Sequence, residues 1–244
     1  MSEHRAYGQY SGAGGLYLSL PTELLLKEQL INRWILEIVR PLNGHRIESP
    51  VLLPGKVLDE SGHNQSFSDQ ILRVSPHLSL RPQTAQGIFS NYKVLRHHLK
   101  GKPLVIAQVG LAFRDEKTTR CGKYRSKEFH QMEIECFHES VPQGQFDRLK
   151  VLVQNFLKSC QLPYEPRDLA PIDAPHYSRK TVDYYVGDQE VGCVNDRGDF
   201  DLSSRKIHGV NTLEVSIGLS RLVQVLMDRG IRTLDVGVEP TTLP

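Results

Sequence analysis

The stretch FRDEKTTRCGKYRSKEFHQMEIECFH, residues 113–138, decides how the rest of the chain is read. It begins where an apolar run, PLVIAQVGLAF (103–113), reads as a strand, and it closes on the strictly alternating EFHQMEIECFH (128–138). Alternation of period two sends successive side chains to opposite faces. Phe129, Gln131, Glu133, Glu135 and Phe137 therefore share one face, and Met132, Ile134 and Cys136 share the other, which is the face expected to be buried. A strand whose first face carries two carboxylates, an amide and aromatic rims is either solvated or lines a polar pocket. The loop between the strands holds Arg120, Lys123, Arg125 and Lys127. Guanidinium forks match phosphate oxygens, a carboxylate accepts from an exocyclic amine, and an aromatic ring stacks on a base. The strand–loop–strand unit thus suits a nucleotide, though a charged hairpin loop has the same composition.

Upstream, LPTELLLKEQLINRWILEIVRPLNG has Leu24, Ile31, Ile35, Ile38 and Leu42 at spacings of three, four or seven, which predicts a long amphipathic helix over 22–42. Pro21-Thr22 starts it and Pro41 and Gly44 stop it. A strand is expected from His45 to Leu53, loop with short pieces of order over 55–80, and a helix over 84–100. Downstream, QFDRLKVLVQNFLKSC reads as a second amphipathic helix, and the proline-rich LPYEPRDLAPIDAP as a connector. TVDYYVGDQEVGCVNDRGDFDL predicts a hairpin turning at Gly187-Asp188. EVSIGLSRLVQVLMDRG passes from strand to helix, with Gly230 as the stop. Irregularly spaced helices with hairpins late in the chain favour an α+β fold, an antiparallel sheet with helices against it, over a regular βαβ repeat.

The 244 residues carry 30 Lys plus Arg against 28 Asp plus Glu, a net charge of +2, which argues against bulk electrostatic adhesion to nucleic acid but not against a local basic patch. Length of this order suits one catalytic domain, expected to span 1–244. No apolar run approaches the roughly 18 residues of a membrane span and no targeting segment is legible, so a cytoplasmic protein without membrane partners is expected. Cys121, Cys136, Cys160 and Cys193 form no close pairs, which points to neither a disulfide framework nor a zinc site.

A second chemical feature is Glu214, Ser216, Gly218 and Arg221 in LEVSIGLSRLV, where a small-residue turn precedes an apolar helix. Arg221 there reaches a sheet surface to stack on a purine or pair with phosphate, or else it is an exposed helix charge. Taken with GHRIESP (44–50) and FRDE-loop-EF (113–129), this segment resembles the three motifs of class II aminoacyl-tRNA synthetases, at about 30–54, 104–138 and 213–230. The stretches ESGHNQSFSD (60–69), LRPQTAQGIF (80–89), EFHQMEIECF (128–137), HYSRKTVD (176–183) and RGDFDL (197–202) are similar, in order, to segments of the dimeric glycyl-tRNA synthetases. The likeness runs from about residue 44 to 230.

The resemblance implies the class II antiparallel sheet flanked by helices, and ATP with Mg²⁺ as cofactors. It implies that Arg114 holds the ATP α-phosphate and the substrate carboxylate, that Glu116 accepts from the adenine amino group, and that Phe129 and Arg221 sandwich the ring. Arg114 and Arg221 would be the catalytic pair. Arg125 would approach the outer phosphates, and Glu214 would stand near the nucleotide and its Mg²⁺. Gln83, Glu133, Glu190, Arg197, Glu214 and Ser216 would form the amino-acid pocket. Such sites work by positioning and electrostatic stabilisation and need no general base.

Three departures bear on function. Gln83 stands where the family's RPETAQ segment has glutamate, removing a negative charge beside the substrate ammonium, although an amide still accepts a hydrogen bond. The family's large insertion between RGDFDL and EVSIGLSR is missing, and only residues 230–244 follow the third motif, so no anticodon-binding domain is expected. The expectation is therefore activation of glycine or another small amino acid as aminoacyl-adenylate, then transfer to a non-tRNA acceptor, either a carrier protein or a small-molecule amine. The alternatives are charging of a tRNA or tRNA-like RNA without anticodon reading, and an inactive paralogue acting as a binding subunit. A homodimer is expected across the 22–42 helix and the 45–53 strand, unless that apolar face is ordinary intramolecular core.

Overall fold

The structure is a computed structural model that describes residues 15–99, 103–117 and 124–235, together with the backbone of 8–9. Arg120, Cys121, Gly122 and Lys123 of the basic loop lie outside the described residues.

A seven-stranded sheet organises the molecule. Its strands are β3 (His45–Arg46), β7 (Leu104–Phe113), β8 (Glu128–His138), β9 (Glu165–Asp168), β10 (Lys180–Val186), β11 (Gln189–Gly198) and β12 (Asn211–Ile217), in the order β3-β7-β8-β12-β11-β10-β9. All pairs are antiparallel except β3 with β7. A pair of two-residue strands, β1 (Gly8–Gln9) with β2 (Tyr17–Leu18), and a small sheet ordered β4 (Leu52–Pro54), β6 (Leu78–Leu80), β5 (Arg73–Ser75) lie outside it.

Helix α1 (Pro21–Trp34) starts with proline in its first turn, where the missing N–H costs nothing, and Glu23 Oε2 accepts from Leu20 N at 2.6 Å. It runs on through a π-turn at Ile35–Val39 and a 3₁₀ turn to Leu42, and Asn43 at φ 53° ends it, so the expected 22–42 helix is present with a changed pitch. Its stripe Leu26, Leu30, Trp34 and Ile38 is fully buried against Ile134 of the sheet, Phe156 of α6 (Gln145–Ser159) and Leu222 of α8 (Leu219–Asp228) in one core cluster. Burying each such aliphatic side chain contributes about 1.5–3 kcal/mol. The buried stripe is offset from the face read in the sequence: of that face Ile38 and Leu42 are buried, Ile31 and Ile35 pack partly buried against the same core, and Leu24 stays 49% exposed, so the helix supplies intramolecular core and keeps part of its apolar face at the surface.

Other expectations are corrected in detail. The strand expected from His45 to Leu53 is two short strands, β3 and β4, that join different sheets, because Pro50 interrupts the ladder. Residues 55–80 hold α2 (Gly55–Glu60), α3 (His63–Ser66), β5 and β6, and the 84–100 helix is broken at Asn91 into α4 (Ala85–Ser90) and α5 (Tyr92–His98). The proline-rich connector carries edge strand β9, and a short helix, α7 (Phe200–Ser203), follows β11. The β10–β11 hairpin turns at Gly187, φ 61°, as expected.

Both faces of β8 are buried. Met132, Ile134 and Cys136 enter the core with α1 and α6, while the polar face is roofed by a second cluster that includes Ile88, Phe89 and Leu202. The solvated reading of Gln131, Glu133 and Glu135 therefore fails: all three are buried, in a polar layer between sheet and roof.

Candidate active site

Three strand ends converge. Arg114 follows β7, Phe129 opens β8, and β12 runs through Ser216 into Gly218 and α8, which carries Arg221. They border a cavity of about 420 Å³ shared with Glu116, Arg125 and Glu190.

Each charged group already has a partner. Arg114 Nε donates to the Pro82 carbonyl at 3.2 Å, and its guanidinium carbon lies 5.3 Å from the Phe129 ring centroid and 5.8 Å from that of Phe67. Glu116 is buried with an oxygen 3.5 Å from Arg125 Nη1. Arg221 Nη1 donates to the Glu190 carbonyl at 2.5 Å and to its carboxylate at 3.0 Å, and Nε donates to the Tyr124 carbonyl at 3.2 Å. Arg221 is thus braced over the cavity and is not a loose surface charge.

One step further along the same strands lies the polar layer. Arg197 forks onto Asp201 at 2.7 and 2.9 Å, donates to Glu214 at 3.0 Å, and stacks 3.7 Å from the Tyr177 ring centroid. Asn195 Nδ2 donates to the second Glu214 oxygen at 2.5 Å, and Thr84 Oγ1 donates to Glu133. Burial, with Glu214 beside it, pushes the Glu133 carboxyl up to about 8. Burial and Glu214 also raise Glu135 well above the carboxylate range, and both of its oxygens are without hydrogen-bond partners. Oxygens of Glu133, Glu135 and Glu214 lie within 4.8 Å of one another. With one guanidinium among four carboxyls, Asp201 included, Glu133 and Glu135 retain protons to limit the repulsion.

Gln83 sits beside this layer. Its amide oxygen is 3.2 Å from Gln86 Nε2 and 3.3 Å from His63 Nε2, and its nitrogen is 3.5 Å from the Tyr177 hydroxyl. Burial, aided by the Arg197 charge, pushes His63 down to about 4, so its ring is neutral.

Among the residues singled out in the sequence, the structure brings Arg114, Glu116, Arg125, Phe129, Glu190, Ser216 and Arg221 to the cavity. Gln83, Glu133, Arg197 and Glu214 form the layer that continues from it. Sequence reasoning missed Thr84, Tyr177 and Asn195, which complete that layer. Asn195 shares the Arg197 face by strand alternation and was findable, whereas Tyr177 lies in an irregular segment whose sequence gives no facing. It also missed Lys27 and His130, which line the cavity.

No family model matches the chain. By structure it is similar to Giardia lamblia prolyl-tRNA synthetase in complex with prolyl-adenylate, with a TM-score of 0.79 at 16% identity, over 91% of this chain and 49% of that one. The sheet order, the three strand ends and this likeness define a class II aminoacyl-tRNA synthetase-like fold.

Sequence relatives narrow the likeness to glycine–tRNA ligases. That of Alkaliphilus oremlandii is 39% identical over 143 residues, 55% of this chain and 31% of the relative. That of Ureaplasma parvum is 30% identical over 221 residues, 78% of this chain and 46% of the relative. The chain thus spans less than half the length of these curated relatives.

Proposed function

We propose that the protein activates glycine or another small amino acid with ATP, forming an aminoacyl-adenylate and pyrophosphate. The observation that carries this reading is the joint placement of Arg114, Glu116, Phe129 and Arg221 around one cavity. A purine fits between the Phe129 ring and the Arg221 guanidinium, Glu116 accepts from its amino group, and Arg114 meets the charge that develops at the α-phosphate as the carboxylate attacks. Arg125 leaves Glu116 for the outer phosphates. Gln83, Glu133, Glu190, Arg197, Glu214 and Ser216 hold the amino acid beyond it. Retention of these residues together speaks against an inactive binding subunit.

Magnesium, when bound with the ATP phosphates, would supply positive charge to screen the departing pyrophosphate. Glu214 accepts one hydrogen bond at each oxygen, from Arg197 and Asn195, and lies with Glu133 and Glu135 in a cluster whose ligand oxygens are within 4.8 Å of one another, so it would hold the ion with the lone pairs that remain. In this reading Glu214 also fixes Arg197.

For the second step the favoured acceptor is the 3′ end of a tRNA, because the relatives are named for that substrate. The carrier-protein or small-amine acceptor expected from the sequence draws no support from them. Amino-acid-dependent ATP–pyrophosphate exchange tests the first step, and no exchange with any standard amino acid would overturn it. Incubation with labelled amino acid, ATP and total tRNA tests the second, acid-precipitable aminoacyl-RNA being the expected product. A cytoplasmic homodimer completes the proposal, with light scattering as the check on its mass.

A further inference from the structure

The cavity does not end at Phe129 and Arg221. Glu128–His130 of β8 extend past the end of β12, whose last pairing joins Ile217 to Met132, and the start of α8 lies alongside. Strand alternation sends Phe129 to the polar face and His130 to the face that α1 covers. The cavity follows, and Ser19, Lys27 and His130 line it together with Phe129, Glu116 and Arg221.

Lys27 stands one turn after Glu23 on α1, and its Nζ donates to Ser19 Oγ at 2.7 Å. Glu23 is committed elsewhere, accepting from Leu20 N at 2.6 Å and from Gln224 Nε2 at 2.8 Å. Burial lowers the Lys27 ammonium, with the Glu23 and Glu128 charges opposing the shift. Burial likewise pushes His130 down to about 4, leaving a neutral ring, and Ser220 Oγ holds the His130 backbone N at 2.9 Å. Two carboxylates, Glu23 and Glu128, outnumber the one ammonium here, which makes its surroundings a poor anion site. A lysine offers three N–H donors and no acceptor, and Ser19 takes one of them. The fitting partner is a neutral acceptor brought in by a ligand. A purine's ring nitrogens are such acceptors, and a purine in the same cavity has its exocyclic amine met by Glu116 on another side.

We propose that Lys27 is a base-reading residue of this site, its ammonium held by Ser19 and donating to a ring nitrogen of the purine that lies between Phe129 and Arg221. The proposal rests on the nucleotide reading given above. Equilibrium binding of ATP and of its 1-, 3- and 7-deaza analogues, each lacking one ring nitrogen, to the full chain and to Lys27→Met tests it. One analogue is expected to bind the unaltered protein about tenfold more weakly than ATP, the scale of one hydrogen bond to a charged donor. Lys27→Met is expected to lose a similar factor for ATP and to stop distinguishing that analogue. Equal binding of all four nucleotides by the unaltered protein overturns the proposal, as does discrimination that survives in Lys27→Met. Should Lys27→Met fail to fold, Ser19→Ala must weaken the same discrimination, and an unchanged one overturns it. If the unaltered protein binds no ATP, the nucleotide reading fails and this inference falls with it, a result distinct from intact ATP binding that is indifferent to Lys27.

Discussion

The side chain of Arg114 is anchored to the backbone at Pro82: Nε donates to that carbonyl at 3.2 Å while the residue before, Phe113, donates its N–H to the Arg81 carbonyl at 2.9 Å. The segment that positions the phosphate-facing arginine is therefore the same one that carries Gln83 and Thr84. Arg81 fixes this segment in turn by donating to Leu111 O at 2.6 Å and Ser49 O at 2.8 Å. It does so across Gly110, where a Cβ would come within 2.2 Å of the Arg81 Nη2, so only glycine leaves room.

Replacing Arg114 or Arg221 with alanine is expected to lower ATP–pyrophosphate exchange by about 10²–10³, the usual cost of one preorganised charge-stabilising donor. Thermal unfolding should scarcely move, since both groups stand at a cavity wall. Full exchange in either variant would remove that residue from the site.

Arg197→Ala is expected to destabilise the protein by about 3–5 kcal/mol, because it strands Asp201 and Glu214 as buried charges without their partner. Urea unfolding measures it. A loss under 1 kcal/mol would show that the polar layer relaxes or admits water.

The Glu133 carboxyl sets a pH dependence. Its folded value near 8 lies above the ordinary 4.5, so the folded state binds the extra proton and stability from this group is full below about 4.5 and is lost as pH rises through about 8. Melting temperature should fall over that window, and Glu133→Gln should flatten the slope. Binding of a substrate ammonium favours the ionised carboxylate, so KM for the amino acid should fall as pH rises toward 8. A KM that is flat from pH 6 to 9 would contradict this.

Gln83→Glu restores a negative charge next to the neutral His63 ring and the polar layer. KM for glycine in the exchange reaction is expected to drop about tenfold, as one neutral hydrogen bond becomes charge-assisted. An unchanged or higher KM would mean that Gln83 does not face the ammonium.

Leu30→Ala, at a fully buried position of α1, should cost about 2–5 kcal/mol by urea unfolding and leave any exchange activity of the folded fraction intact. A cost near zero would mean that the stripe is not core.

Much of this arrangement could be read from residue order. Alternation in 128–138 and the apolar repeat of 22–42 located β8 and α1, because each pattern fits one backbone period only. Gly187 and Gly230 marked their turns. What alternation could not tell was whether the Glu133 face met water, since that depends on α4 and α7 arriving from distant segments to roof it. Lys27 was invisible for the same reason. On a helix wheel it is one more charge, and only the docking of α1 beneath β8 gives it a cavity to face. Pro50 marks where the 45–53 strand breaks, but that its second half joins β6 in another sheet depends on where β6 lies, which no local pattern encodes.

The pairs Arg125–Glu116 and Arg221–Glu190 give the cleft internal counter-ions. An arriving triphosphate and base exchange partners with these groups and do not meet bare charges. The electrostatic gain of binding is then a difference between two sets of pairs, which trades raw affinity for discrimination: a ligand that satisfies the arginines but offers nothing to the displaced carboxylates pays for both.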